Sequence, residues 1–210
     1  VAISNWTLAK AVSRLGQLGV VSGTGINRVL SCRLADGDLD GHMRRALESF
    51  PMPEIVQNIL GRYYIPGGKA PTAPYKTPPV YSVTPSIFLD QLTAIANYVE
   101  VFLAKENHNG PVGINLLEKV QLPNLASLYG AMLAGVDYVL MGAGIPMQVA
   151  GILDKLANHA PVSYRLDVHG AGPEDDVRIH FDPERIFPSI ARLFGQLKRP
   201  KFLPIISSTT

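Results

Sequence analysis

The sequence has little cysteine and little charge. Cys32 is the only cysteine among 210 residues, so the chain cannot form an internal disulfide. No Cys/His spacing suits zinc, and a lone thiol fits a reducing compartment, so we predict a cytoplasmic protein without a metal site. The 19 Lys and Arg nearly balance the 17 Asp and Glu, and they form one short basic cluster at residues 198–201. A nucleic-acid surface is therefore not expected.

Long apolar runs are absent as well. No uninterrupted stretch reaches about 18 apolar residues, which predicts that no segment spans a membrane. The first residues do not show the basic, apolar and small-residue succession of a secretion signal. Hydrophobic residues make up 47% of the chain, beside 19 Gly and 17 Pro. This composition excludes a coiled coil or a disordered chain, and it favours a turn-rich α/β enzyme with one domain over residues 1–210.

Both ends of the sequence predict that it is the front part of a larger domain. Val1 stands where Met would begin a chain, and an apolar triplet leads from it to a predicted helix cap at Ser4. Residues 202–208 have the pattern of a buried strand that stops where a helix should follow. A buried strand is a poor place for a natural terminus.

Short apolar runs alternate with amphipathic segments along the chain. Strands are predicted at residues 18–21, 112–117, 137–141 and 202–208, and helices at 5–16, 86–102, 125–133, 147–156 and 186–197. Residues 38–60 predict two more helices, because Pro51 and Pro53 interrupt their helical spacing. Strands that are apolar on both faces and separated by helices require a parallel sheet covered by helices. The fold class is therefore α/β, as either a barrel or a doubly wound sheet.

Two segments depart from this alternation. Residues 61–85 are rich in Pro, Gly, Tyr and Thr, and their four tyrosines favour an ordered surface excursion over a free linker. Residues 162–168 and 177–181 alternate apolar and polar side chains, which predicts an antiparallel hairpin inserted near 162–183.

The candidate site lies where the strands end, because ligands of parallel α/β folds bind at the carboxyl ends of strands. Ser22-Gly23-Thr24-Gly25 follows the first strand, and Gly142-Ala143-Gly144 follows the third. Glycine lets a planar ring approach loop N–H groups, although Gly142 to Gly144 also suit a plain strand-to-helix turn. Asn115 interrupts an apolar strand, so its amide is expected to be buried. Without hydrogen-bond partners, burial of the amide would cost about 1–3 kcal/mol, so either a structural network or a ligand must engage it.

In order and spacing, these residues resemble nitronate monooxygenases, formerly called 2-nitropropane dioxygenases. The resemblance covers most of the chain, and the motifs that carry it are Val1-Ala2-Ile3-Ser4, Leu18-Gly19-Val20-Val21-Ser22, Val112-Gly113-Ile114-Asn115 and Gly142-Ala143-Gly144-Ile145-Pro146. The same flavin fold includes FMN-dependent enoyl-acyl-carrier-protein reductases, some of which serve polyunsaturated fatty acid synthases in trans. The resemblance implies a partial (β/α) barrel of the triosephosphate isomerase (TIM) type, from which residues 63–85 and 164–181 depart.

The resemblance also implies that FMN lies across the strand ends. Asn115 is then the flavin contact of the third strand of the family. Ser22, Gly23 and Thr24 belong to the contact of its second strand, and Gly142, Ala143 and Gly144 to its fourth-strand loop. The catalytic histidine and the phosphate-binding loops of the family are expected beyond Thr210, so no catalytic residue is assigned.

The histidines of the chain are not assigned to catalysis. His42, His108 and His159 stand among polar residues and are interpreted as surface groups. His169 and His180 fall in the predicted hairpin region, and neither aligns with the catalytic base of the family.

Three functions remain open at this point. A nitronate monooxygenase would oxidise alkyl nitronates with oxygen, whereas an enoyl reductase would pass electrons from a nicotinamide through the flavin to an enoyl thioester. The third possibility is a non-catalytic barrel fragment. Its uncovered strands and helix faces would aggregate, or pair with another copy as a homodimer or with the missing half of the barrel. A synthase complex is the partner expected of the enoyl reductase.

Overall fold

The computed structural model describes residues 3–144, 146–170, 172 and 174–205. Its strands are β1 (Gly19–Ser22), β2 (Val112–Leu117), β3 (Tyr138–Gly142), β4 (Val162–Arg165), β5 (Arg178–Phe181) and β6 (Lys201–Pro204). Its helices are α1 (Trp6–Arg14), α2 (Ile26–Ala35), α3 (His42–Glu48), α4 (Pro53–Tyr63), α5 (Ile87–Lys105), α6 (Asn124–Leu133), α7 (Val149–Ala157), α8 (Pro183–Ile186) and α9 (Ile190–Phe194). Val1, Ala2 and Ile145 of the sequence motifs, and residues 206–208 of the last predicted strand, lie outside the described residues.

A four-stranded parallel sheet organises the protein, in the order β1-β2-β3-β6. The order follows the chain without reversal, unlike a doubly wound sheet, whose strand order reverses at a switch point. β4 and β5 follow β3 and precede β6 along the chain, and they form an antiparallel pair outside the parallel sheet. The α/β class and the inserted hairpin are therefore confirmed.

The two faces of the sheet differ in burial. Val21, Ile114 and Met141 are fully buried on one face, where α1 and α5 pack against the first two strands. On the other face Asn115 is exposed and Leu140 is half-buried. The expectation that both faces are buried is therefore wrong for the described residues. Alternating side chains of one strand point to opposite faces, and helices cover only one of them.

Helix α5 forms the centre of the helical layer. Ser86, the first residue of the helix predicted at 86–102, is its N-cap, since its hydroxyl accepts a hydrogen bond from the Leu89 N–H. The helix is long and apolar enough to cross a membrane, but 83% of its most apolar window is buried inside the protein. Gly130 of α6 lets the two helices approach closely, because a Cβ there would lie 1.8 Å from the carbonyl oxygen of Ala94.

Tyrosines anchor the irregular excursion between α4 and α5. The Tyr75 hydroxyl donates to the Asp36 carboxylate at 2.9 Å, and the Tyr81 hydroxyl donates to Asp90 at 3.2 Å. The chain turns at Gly68, whose φ of +88° favours glycine and whose backbone packs closely on Asp36. These contacts account for an ordered excursion without helix or strand.

Several local expectations are corrected. Helix α2 was not predicted. The helix predicted at 186–197 forms only as the short α9, because α8 ends at Ile186 and Ser189 takes a left-handed φ of +67° between the two helices. The cap of α1 is Asn5, whose side chain accepts from the Leu8 N–H, while Ser4 donates its hydroxyl to the Val20 carbonyl and joins the sheet edge.

Candidate functional site

Ser22 and Asn115 lie side by side at the carboxyl ends of β1 and β2. They are register partners, and Asn115 is in turn paired with Leu140 on β3. Partners in parallel strands point to the same face, which here is the face that the helices leave uncovered. Neither side chain makes a hydrogen bond within the described part of the chain. No internal network therefore engages Asn115, and its exposure removes the expected desolvation cost.

Gly142 lies on the same face, two residues closer to the strand ends. It pairs with Leu117, which follows Asn115 by two positions. A Cβ at Gly142 would stand 3.0 Å from the Cβ of Ile205, so this glycine accommodates the segment after β6. The structure thus brings Ser22, Asn115 and Gly142 to one end and one face of the sheet.

Gly23 and Thr24 serve the packing of the strands instead. A Cβ at Gly23 would meet Ile114 at 2.6 Å and the Asn97 amide oxygen at 2.8 Å, on the helix-covered face. The Thr24 hydroxyl accepts from the Leu117 N–H at 3.0 Å. These contacts hold the end of β1 against β2, and neither position adds a side chain to the uncovered face.

The loop after β3 is shaped by a buried carboxylate that no sequence motif indicated. Glu118 follows β2 directly, is 5% exposed, and accepts a hydrogen bond from the Tyr164 hydroxyl at 2.6 Å. A Cβ at Gly144 would lie 1.8 Å from a Glu118 oxygen, so a larger residue there would have to displace the Glu118 side chain. Ala143 is exposed and left-handed, with φ +60°. Such backbone strain in a non-glycine residue occurs often at functional sites.

A cleft of about 730 Å³ lies beyond the ends of β1 and β2. Its walls come from the excursion at residues 80–83, the loop at 119–123 and the segment at 166–169 after β4. Thr24, Asn27 and Thr93 form its floor. This cleft could not be predicted from the sequence, because its walls are far apart along the chain.

Two hydrogen bonds fix side chains beside this cleft. The Asn27 amide donates to the Thr93 hydroxyl at 3.2 Å, and the Tyr81 hydroxyl donates to Asp90. Asp90 is only 7% exposed, and burial raises the pKa of its carboxyl to about 6, although the Tyr81 hydrogen bond and the charge of Arg185 act in the opposite direction.

The surface interpretation of His159 is wrong. Its ring is buried, with one nitrogen 2.6 Å from the Tyr129 hydroxyl and the other 2.6 Å from the Gly195 carbonyl. His42 and His108 are half-buried. Among the residues that the structure describes, no three His, Cys, Asp or Glu side chains are grouped as metal ligands.

Comparisons with protein-family models, with curated proteins and with solved structures found no match to this chain. The choice of a family therefore depends on the sequence motifs and on the geometry of the strand ends.

Proposed function

We propose that the chain is part of an FMN-binding (β/α) barrel with the oxidoreductase activity of a nitronate monooxygenase. The observation that carries this proposal is the pairing of Ser22 with Asn115 on the uncovered face at the strand ends. Ligands of barrels bind at this end, and residues there come from successive strands.

The sheet supports a barrel rather than another α/β arrangement. Its parallel strands follow chain order, and helices pack on one face, as in consecutive units of a (β/α) barrel. The other face carries Leu140 and the 40%-exposed Leu203. In a barrel such side chains fill the interior, which explains apolar residues on a face that the described helices do not cover.

The residues at the strand ends suit the ring edge of a flavin. The Asn115 amide offers both a donor and an acceptor, and the neighbouring Ser22 hydroxyl adds a further donor or acceptor for ring carbonyls and nitrogens. The same half of this face has no Lys or Arg in the described residues, so these positions would hold the ring and not the phosphate. FMN supplies the electron transfer when bound, while Ser22 and Asn115 orient its ring.

An enoyl-thioester reductase is the second candidate. The two segments that depart from the resemblance, 63–85 and 164–181, both contribute walls to the 730 Å³ cleft beside the strand ends. A small alkyl nitronate would not require this cleft, which lies on the helix-covered side of the strand ends. A non-catalytic fragment is the third candidate, and the exposure of Leu203 and Ile205 favours its self-association.

One purification separates the three candidates. The chain is expressed and purified with added FMN, and its visible spectrum and its size in solution are recorded. Retained flavin absorbance supports the proposal. Anaerobic bleaching by an alkyl nitronate would then identify the monooxygenase reaction, whereas bleaching by a reduced nicotinamide and recovery of the colour on addition of an enoyl thioester would identify the reductase reaction. A colourless, self-associating protein that does not bind added FMN would contradict the proposal.

A further inference from the structure

Four exposed valines converge on the cleft from separate parts of the chain. Val80 and Val83 belong to the excursion, Val120 to the loop after β2, and Val168 to the segment after β4. They are 92%, 44%, 37% and 45% exposed, respectively. Single exposed valines are common, but their grouping around one concave site indicates a ligand that covers them.

The polar groups of the floor already have partners within the protein. Asn27 is bonded to Thr93, Tyr81 to Asp90, and the Thr24 hydroxyl accepts from the backbone of β2. A polar ligand group placed there would compete with these internal hydrogen bonds, whereas the four valines offer apolar surface without such competition. The inner end of the ligand is therefore apolar.

The rim has one cation with free hydrogen-bonding capacity in the described part of the chain. Lys119 is exposed and makes no ion pair or hydrogen bond there. Asp167, also at the rim, is held by Gln121, which donates to its carboxylate at 3.3 Å and accepts from its N–H at 2.9 Å. Lys119 thus provides the complementary charge for an anionic head group, and the carboxylate of Asp167 would repel that head group.

We propose that this cleft binds a linear aliphatic chain with an anionic head, its tail against the four valines and its head beside Lys119. The site lies beyond the helix-covered side of the strand ends, whereas Ser22 and Asn115 face the other way. The cleft volume of about 730 Å³ falls in the usual range for small-molecule sites. The inference stands on the cleft alone and holds whether or not the chain binds flavin.

The experiment is a calorimetric titration of the full chain with three ten-carbon probes, each below its micelle concentration. Decanoate is expected to bind most tightly, decanol more weakly, and decyltrimethylammonium most weakly. Absence of binding by all three would overturn the proposal. Binding of the ammonium probe as tightly as decanoate would overturn the assignment of an anionic head.

Variants separate the tail from the head. Val83→Gln should weaken both decanoate and decanol by about tenfold, since a polar side chain replaces apolar contact. Lys119→Gln should weaken decanoate about two- to fivefold and leave decanol unchanged, as for an exposed ion pair. Lys119→Arg should restore decanoate binding, and Asp167→Asn should strengthen it.

A matched control tests whether binding is specific to the cleft. Leu39 is 78% exposed in the loop between α2 and α3, away from the cleft, so Leu39→Gln should leave every probe unchanged. An equal loss in Leu39→Gln and Val83→Gln would mean non-specific adsorption and would overturn the proposal. FMN affinity is expected to be the same in Val83→Gln and the parent chain, which keeps this result distinct from the flavin test.

Discussion

Ser22 and Asn115 are register partners on neighbouring parallel strands, and both side chains face away from the helices that cover the sheet. The pairing follows from the sheet itself, because β1 and β2 align Gly19 with Val112 and keep that register to their ends. Two polar side chains therefore stand at one height on a face that is otherwise largely apolar. This placement supports a ligand there more strongly than either residue does alone.

Asp90 is expected to make stability depend on pH. Its pKa of about 6 in the folded protein lies above the ordinary value of 3.8, so its contribution is complete below pH 3.8 and is lost as the pH rises through 6. Asp90→Asn should therefore become more stable relative to the parent chain across this window, by about 2–3 kcal/mol. Urea unfolding of both proteins from pH 4 to pH 8 measures the difference. A difference that does not vary with pH would contradict the burial of an ionising carboxyl.

Asp137 should have the opposite effect on the pH dependence of stability. Burial alone would raise the pKa of its carboxyl, but hydrogen bonds from Lys105, Lys198 and the Val112 N–H lower it to about 2. Its contribution is therefore present above pH 3.8 and is lost as the pH falls towards 2. Asp137→Asn should lower the free energy of unfolding by about 1–2 kcal/mol at pH 7, a value reduced to allow for the exposure of Lys198. Near pH 2.5 the loss should be much smaller.

An exposed ion pair serves as the control for Asp137. Asp154 is 63% exposed in its pair with Arg199, so Asp154→Asn should change the free energy of unfolding by less than about 0.5 kcal/mol at pH 7. Equal losses in the two variants would show that Asp137 does not join β2 to its neighbours as described.

Two helical glycines should respond to alanine with opposite signs. Gly130→Ala would place a methyl group 1.8 Å from the Ala94 carbonyl oxygen of α5, and this overpacking should cost about 2 kcal/mol or more. Gly151 of α7 has open space around it, so Gly151→Ala should stabilise the protein by about 0.5–1 kcal/mol. Urea denaturation of both variants gives the comparison. Stabilisation by Gly130→Ala would contradict the close contact of α5 with α6.

Relief of backbone strain should stabilise the loop after β3. Ala143 takes a left-handed φ of +60°, which costs an alanine about 1 kcal/mol relative to glycine. Ala143→Gly should therefore raise the melting temperature, while Ala150→Gly within α7 should lower it, since glycine weakens a helix interior. Loss of stability in Ala143→Gly would mean that the methyl group makes contacts that outweigh the strain.

The parts of the fold that follow a local pattern could be predicted from the sequence. Apolar runs at 112–117 and 137–141 correspond to β2 and β3, and the alternation at 162–168 and 177–181 corresponds to the hairpin. Burial of only one sheet face could not be predicted, because Leu117, Leu140 and Leu203 are apolar whether or not helices cover them. Helix α2 was missed although its sequence carries a helical signal, since Ile26, Leu30 and Leu34 keep the i, i+4 spacing of one buried helix face.

The candidate site was predictable only in part, for a similar reason. Ser22, Asn115 and Gly142 could be predicted from their positions at strand ends, since parallel strands place their carboxyl ends together. The sequence could not show that Gly23 and Thr24 differ from these residues, because the packing of Gly23 and Thr24 depends on contacts across the sheet. The cleft and the buried His159 depend on pairings between residues distant in sequence, such as Tyr129 with His159.

The affinity of FMN for Asn115→Ala, measured by flavin fluorescence against the parent chain, tests the central claim most directly. Loss of the Asn115 amide should weaken binding by about three- to tenfold, the usual effect of one or two hydrogen bonds. Asn109 is exposed near the opposite end of β2, so Asn109→Ala should bind FMN as the parent does. Equal affinity in Asn115→Ala and the parent chain, or an equal loss in Asn109→Ala, would contradict a flavin ring at the Ser22 and Asn115 strand ends.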